Sequence, residues 1–118
     1  MKNIKFTFLY EVEGYVTFRI HVVSGDFSGS TVFCVEHKTI EEFLDSLKSI
    51  YETLFGECNI IDTDSDDFIK FQCIKNGHIT VSGQIGGSYN EQFLKFCFDI
   101  DQTYLYEFIT DISHLLNC

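Results

Sequence analysis

Residues 4–12 alternate between apolar and polar side chains, with Ile4, Phe6, Phe8, Tyr10 and Val12 on one face and Lys5, Thr7 and Glu11 on the other. A period of two, carried by aromatic and β-branched residues, predicts a strand with one buried side. Glu13-Gly14 supplies a turn. Residues 15–23 then alternate again, Val16, Phe18, Ile20 and Val22 against Thr17, Arg19 and His21. Ser24-Gly25-Asp26 makes a second turn, and residues 27–36 read as a third strand, bent near Gly29.

The period then changes to that of a helix. Thr39 and Glu42 have the spacing of a capping box. Ile40, Phe43, Leu44, Leu47, Ile50, Tyr51, Leu54 and Phe55 follow at helical intervals and form one apolar stripe. Glu41, Glu42, Asp45, Lys48, Ser49 and Glu52 fall opposite it, and Gly56 suits the position that ends a helix. Strands are expected again at 57–62 and 68–75, followed by a type I′ hairpin turn at Asn76-Gly77 and a strand at 78–85. After the loop Gly86-Gly87-Ser88, a last strand runs over 91–100. Asp101 caps a second helix over 102–116, with Leu105, Phe108, Ile109, Ile112 and Leu116 as its stripe. The expected architecture is α+β in the order βββα ββββα, a largely antiparallel sheet with two helices on one face, and residues 1–118 as a single domain.

Composition narrows the class. Of the 118 residues, 45% are hydrophobic and 16% aromatic, far from the aromatic-poor make-up of disordered chains. No apolar run is long enough to span a bilayer, and the N-terminal residues lack the form of a signal peptide. Five cysteines, an odd number without C-x-x-C spacing, predict free thiols and a cytoplasmic location rather than disulfides or a zinc site.

Charge points toward partners. The formal net charge is −10, which disfavours nucleic acid and anionic membranes as ligands. From Glu36 to Asp67 there are ten acids and two bases, a net of −8. Such a face is either a solubilising surface or a complement to a basic protein. Its candidate partner-binding residues are Glu41, Glu42, Asp45, Glu52, Asp62, Asp64, Asp66 and Asp67. A competing surface is the polar sheet face around Arg19, Lys70 and Lys95, which would suit an acidic partner.

Motifs for catalysis or metal binding are weak. Asp62-Thr63-Asp64-Ser65-Asp66-Asp67 begins like a calcium loop, but Asp67 stands where the sharp turn needs Gly and Cys73 where a bidentate Glu belongs, so a solvated acidic turn is expected. His21, His37, His78 and His114 share no ligand spacing. Cys34 and His37 are close in sequence, yet Cys34 lies in an apolar strand and reads as structural. Gly83-Gln84-Ile85-Gly86-Gly87 lacks the Lys of a phosphate loop and reads as a bulge and turn. No cofactor is expected.

Several stretches taken together resemble the WapI-like immunity proteins of bacterial contact-dependent polymorphic toxin systems. They are residues 14–23 and the turn Asp26-Phe27-Ser28-Gly29, the segment Glu41–Leu47 leading to Leu54-Phe55-Gly56-Glu57-Cys58, residues 77–83, and the run from Phe96 through Asp101-Gln102-Thr103 to Leu105. The resemblance covers nearly the whole chain and brings no catalytic residues with it. It implies a cytoplasmic antitoxin, not an enzyme, that binds and occludes a cognate toxin domain, with a nuclease as the candidate. Two other readings stay open, a small-molecule-binding protein or enzyme with a pocket between sheet and helices, and a subunit of a larger assembly.

Overall fold

The computed structural model describes residues 2–74, 78–86 and 93–116, and the side chains from residue 4 onward. The expected Asn76-Gly77 turn, Gly87-Ser88, the first residues of the last strand and Cys118 lie outside the described residues. The order is β1 (Lys2–Val12), β2 (Tyr15–Ser24), β3 (Phe27–Glu36), α1 (His37–Thr53), β4 (Gly56–Ile61), β5 (Phe68–Cys73), β6 (Ile79–Ile85), β7 (Leu94–Ile100) and α2 (Gln102–Leu116). This is the α+β order βββα ββββα read from the sequence. The strands form two antiparallel sheets rather than one, β1-β2-β3 and β4-β5-β6-β7. The insertion of α1 between β3 and β4 separates them. α1 packs against β4 and α2, and α2 packs against β1.

The β1–β2 hairpin turns at Glu13 and Gly14, both with positive φ (52° and 83°), as a two-residue turn matched to strand twist requires. The alternation of β1 does not run unbroken to its end. Phe8 pairs with Phe18 but Tyr10 pairs with Thr17, so Leu9 is an extra residue in a bulge. One inserted residue reverses the phase of everything after it. Ile4 and Phe6 are therefore buried, whereas Tyr10 and Val12, expected inside, are 55% and 58% exposed.

α1 starts at His37, two residues before the expected cap. Its N-cap is Glu36, which makes no side-chain capping bond, so the Thr39–Glu42 box does not form the helix start. The His37 N–H donates instead to Gly14 O at 2.8 Å, so the β1–β2 turn satisfies one orphan donor of the helix. At the other end Leu54 is the C-cap, in the left-handed conformation (φ 56°), and its N–H donates to Ile50 O at 2.8 Å; Gly56, expected to end the helix, lies two residues further on as the first residue of β4, also at positive φ (122°). The chain leaves the helix there, and Phe55 swings into solvent rather than completing the stripe. α2 begins as expected, with the Tyr104 N–H donating to Asp101 Oδ1 at 2.9 Å. Its stripe ends on buried Leu115, with Leu116 only partly buried.

The buried apolar side chains of both sheets and both helices form one core. Phe108 of α2 sits at its centre, edge-on to Phe6 of the first sheet (6.5 Å between centroids) and to Phe71 of the second (5.5 Å). Phe43 of α1 reaches Phe71 at 5.8 Å. Gly83 is not a bulge, since the β6 register runs through it without a break to Phe96 and Ile69. A Cβ there would lie 2.8 Å from Phe96 Cζ and would also strike the Phe68 carbonyl. Gly29 likewise sits in unbroken register, where an added Cβ would lie 3.2 Å from Ile85 Cδ1.

Candidate functional site: an acidic helix and its neighbouring strand edge

The apolar stripe of α1 buries Ile40, Phe43, Leu44, Leu47 and Ile50 and so fixes which residues face out. Glu41, Glu42, Asp45 and Glu52 are all exposed. Glu41 and Asp45 are one turn apart and project together. Glu41 accepts from or pairs with His37 Nδ1 at 2.7 Å, and Lys38 Nζ stands 4.0 Å from Glu42. Among the described residues Asp45, Glu52 and Asp64 have no cationic side chain within ion-pair distance.

The Asp62–Asp67 loop divides into two populations. Asp64 and Asp66 are exposed. Asp62 and Asp67 are 7% and 1% exposed, so they cannot serve as part of an open acidic face. Asp62 Oδ1 accepts from the Cys34 backbone N–H at 2.9 Å and Oδ2 from the Ser65 hydroxyl at 2.7 Å. Asp67 Oδ2 accepts from the Gly86 N–H at 3.1 Å, and Gln84 Nε2 lies 3.4 Å from its Oδ1. The Thr63 N–H also donates to Cys34 O at 3.1 Å. The loop is thus stitched to β3 on one side and to the end of β6 on the other. The sequence showed six acids in a polar turn; nothing local distinguished the two that bond to distant backbone from those that face water. Among the described residues no three His, Cys, Asp or Glu side chains are grouped so as to hold a metal.

Beside α1 runs a cleft of about 370 Å³ lined by Thr39, Glu42, Phe43, Ser46, Glu57, Cys58, Asn59 and Ile61. Glu57 and Asn59 are exposed on the open face of the second sheet, while Cys58 points toward the core. Burial and the neighbouring Glu57 charge push the Cys58 thiol up to about 12, so it stays protonated and unreactive near neutrality. Among the described residues Cys34, Cys58, Cys73 and Cys97 are free thiols, and Cys97 alternates outward and is exposed.

The competing basic residues are divided between the two sheets. Arg19 lies on the first sheet opposite Thr7 and Val32, while Lys70 and Lys95 lie on the second. Lys70 Nζ is 3.4 Å from Glu57, and Lys95 Nζ sits 5.6 Å from the Phe93 ring centroid.

Two antiparallel sheets, each followed by a helix, with acidic residues exposed on the first helix, define an α+β fold. The family model for the WapI-like immunity proteins matches residues 6–117, and the chain belongs to that family. Among solved structures, a chain of the CdiA-CT/CdiI toxin and immunity complex from Enterobacter cloacae is similar, with a TM-score of 0.53 at 10% identity over 97% of this chain and 99% of that one. A chain of MRP1/MRP2 from Trypanosoma brucei aligns with a TM-score of 0.47 at 11% identity, covering 97% of this chain and 83% of its own. At these identities the likeness is one of fold. No curated protein matches the sequence.

Proposed function

We propose that this immunity protein acts in the cytoplasm by binding a cognate toxin domain and covering its working surface, with no catalysis of its own. Membership of the WapI-like immunity family over residues 6–117 carries the reading. The fold shared with a chain of a toxin and immunity complex is consistent with it. The toxin is expected to be basic, a nuclease being the candidate, because an enzyme that grips nucleic acid presents cations that an acidic protein can engage. The proposed contact surface is Glu41, Glu42, Asp45, Glu52, Asp64 and Asp66, with Asp62 and Asp67 left out because the fold uses their carboxylates. Opposite charge would steer encounter, and close packing would hold the complex. The test is co-expression with the product of the upstream neighbouring gene. Growth restored by this chain supports the reading, and growth arrest unchanged in the presence of folded protein contradicts it.

A further inference from the structure

We propose that the open face of the first sheet is a self-association surface, on which a second copy of this chain packs about a two-fold axis. The inference stands apart from the toxin-binding reading and rests on different residues.

Register sets the face. Val16, Phe18, Ile20 and Val22 of β2 turn into the core, so Tyr15, Thr17 and Arg19 turn out. Direct pairing puts Glu36 of β3 beside Tyr15, Cys34 beside Thr17 and Val32 beside Arg19. On β1, the bulge at Leu9 brings Tyr10 beside Thr17 and Val12 beside Tyr15. Tyr10, Val12, Tyr15 and Val32 are all exposed there. Glu36 stands at one end of this apolar, aromatic surface and Arg19 at the other. Exposed apolar clusters mark contact surfaces, and tyrosine and arginine are among the side chains that interfaces favour.

Charge selects the occupant. On the three strands the outward charged side chains are Lys5, Arg19 and Glu36, so this face lacks the acidic excess of a chain whose net charge is −10. Among the described residues no carboxylate lies within ion-pair distance of Arg19, and no cation within ion-pair distance of Glu36. A basic toxin drawn to the α1 acids finds no such attraction here. A second copy supplies the complement of both ends. A two-fold axis lying across the strands, through the row Tyr10-Thr17-Cys34, lays the Arg19 row of each copy on the Tyr15 row of the other. Arg19 then stands over Tyr15 of the second copy and one strand spacing, about 4.8 Å, from its Glu36, a gap the guanidinium arm spans. The symmetry makes this pair twice and sets Tyr10 against its own equivalent on the axis. Facing sheets pack about 10 Å apart, a gap that these large side chains fill.

The test is sedimentation velocity on the purified chain across about 1–100 μM, where a reversible monomer–dimer equilibrium is expected. Arg19→Glu and Glu36→Arg each remove two ion pairs per dimer, and each should weaken it by about tenfold or more with the thermal melt unchanged. The two substitutions together exchange the ends and should restore dimerisation to within about threefold of the original. Tyr10→Ser, which leaves both charges in place, should weaken the dimer as well. A chain that stays monomeric throughout overturns the proposal, as does a dimer indifferent to all of these changes or one that the double exchange fails to restore. Loss of toxin binding on Arg19→Glu, in a chain that is monomeric, assigns the face to the toxin and overturns self-association.

Discussion

Asp62 Oδ1 accepts the backbone N–H of Cys34 at 2.9 Å, a bond that joins the second sheet to the first across 28 residues of chain. Together with Thr63 N–H to Cys34 O, it closes the corner where β3 and the end of β4 meet. An acid that composition alone assigns to a solvated surface is therefore part of the framework.

Replacing Asp62 with Ala should destabilise the protein by about 1–3 kcal/mol, because the Cys34 N–H and the Ser65 hydroxyl lose their acceptor in a part-buried site. Asp64→Ala, at an exposed position, should change stability by less than about 0.5 kcal/mol. Urea denaturation of the two variants checks the contrast.

Gly83 should tolerate no side chain. With Phe96 Cζ 2.8 Å from the position of a Cβ, and the Phe68 carbonyl closer still, Gly83→Ala forces the ring and the β5–β6 ladder apart. A loss of about 1–3 kcal/mol is expected from overpacking of this kind. Phe96→Leu should recover part of that loss in the double variant, measured by the same denaturation curves.

Much of this fold was legible in the sequence. The α1 stripe, the Asp101 cap and the Glu13-Gly14 turn each rest on residues a few positions apart, and local spacing carries them. The Leu9 bulge was not legible, because Phe8-Leu9-Tyr10 continues an acceptable alternation and only pairing with Phe18 and Thr17 reveals the extra residue. The split into two sheets was hidden for a similar reason: periodicity gives each strand a buried face but does not say which strands share a ladder. For the site, the helix acids were identified from the stripe they oppose, whereas the roles of Asp62 and Asp67 depend on Cys34 and Gly86, far away in sequence.

The thiols should differ in reactivity. Cys97 is exposed, whereas Cys58 is raised from 9.0 to about 12 by burial and by Glu57. Iodoacetamide at pH 8 should therefore label Cys97 well before Cys58, read by peptide mass spectrometry. The same shift has a sign for stability. The unfolded thiol releases its proton above about 9 while the folded one holds it to about 12, so Cys58 lowers stability as pH rises through that window. Cys58→Ala should flatten the alkaline fall in melting temperature.

Charge on α1 should govern the speed of toxin binding more than its strength. Reversing Glu41, Asp45 and Glu52 to Lys leaves the buried stripe untouched. Stopped-flow association at low salt should slow by about tenfold or more, and the difference should shrink as ionic strength rises. Asp62→Asn, by contrast, should leave the association rate nearly unchanged, since that carboxylate is buried.

The most direct measurement is calorimetric titration of a purified cognate toxin domain into this protein, paired with an assay of the toxin's activity. Saturable one-to-one binding in the nanomolar range, with toxin activity lost in proportion to complex formed, is the predicted result. Folded protein that gives no heat of binding, or that binds while the toxin remains fully active, would contradict neutralisation by occlusion.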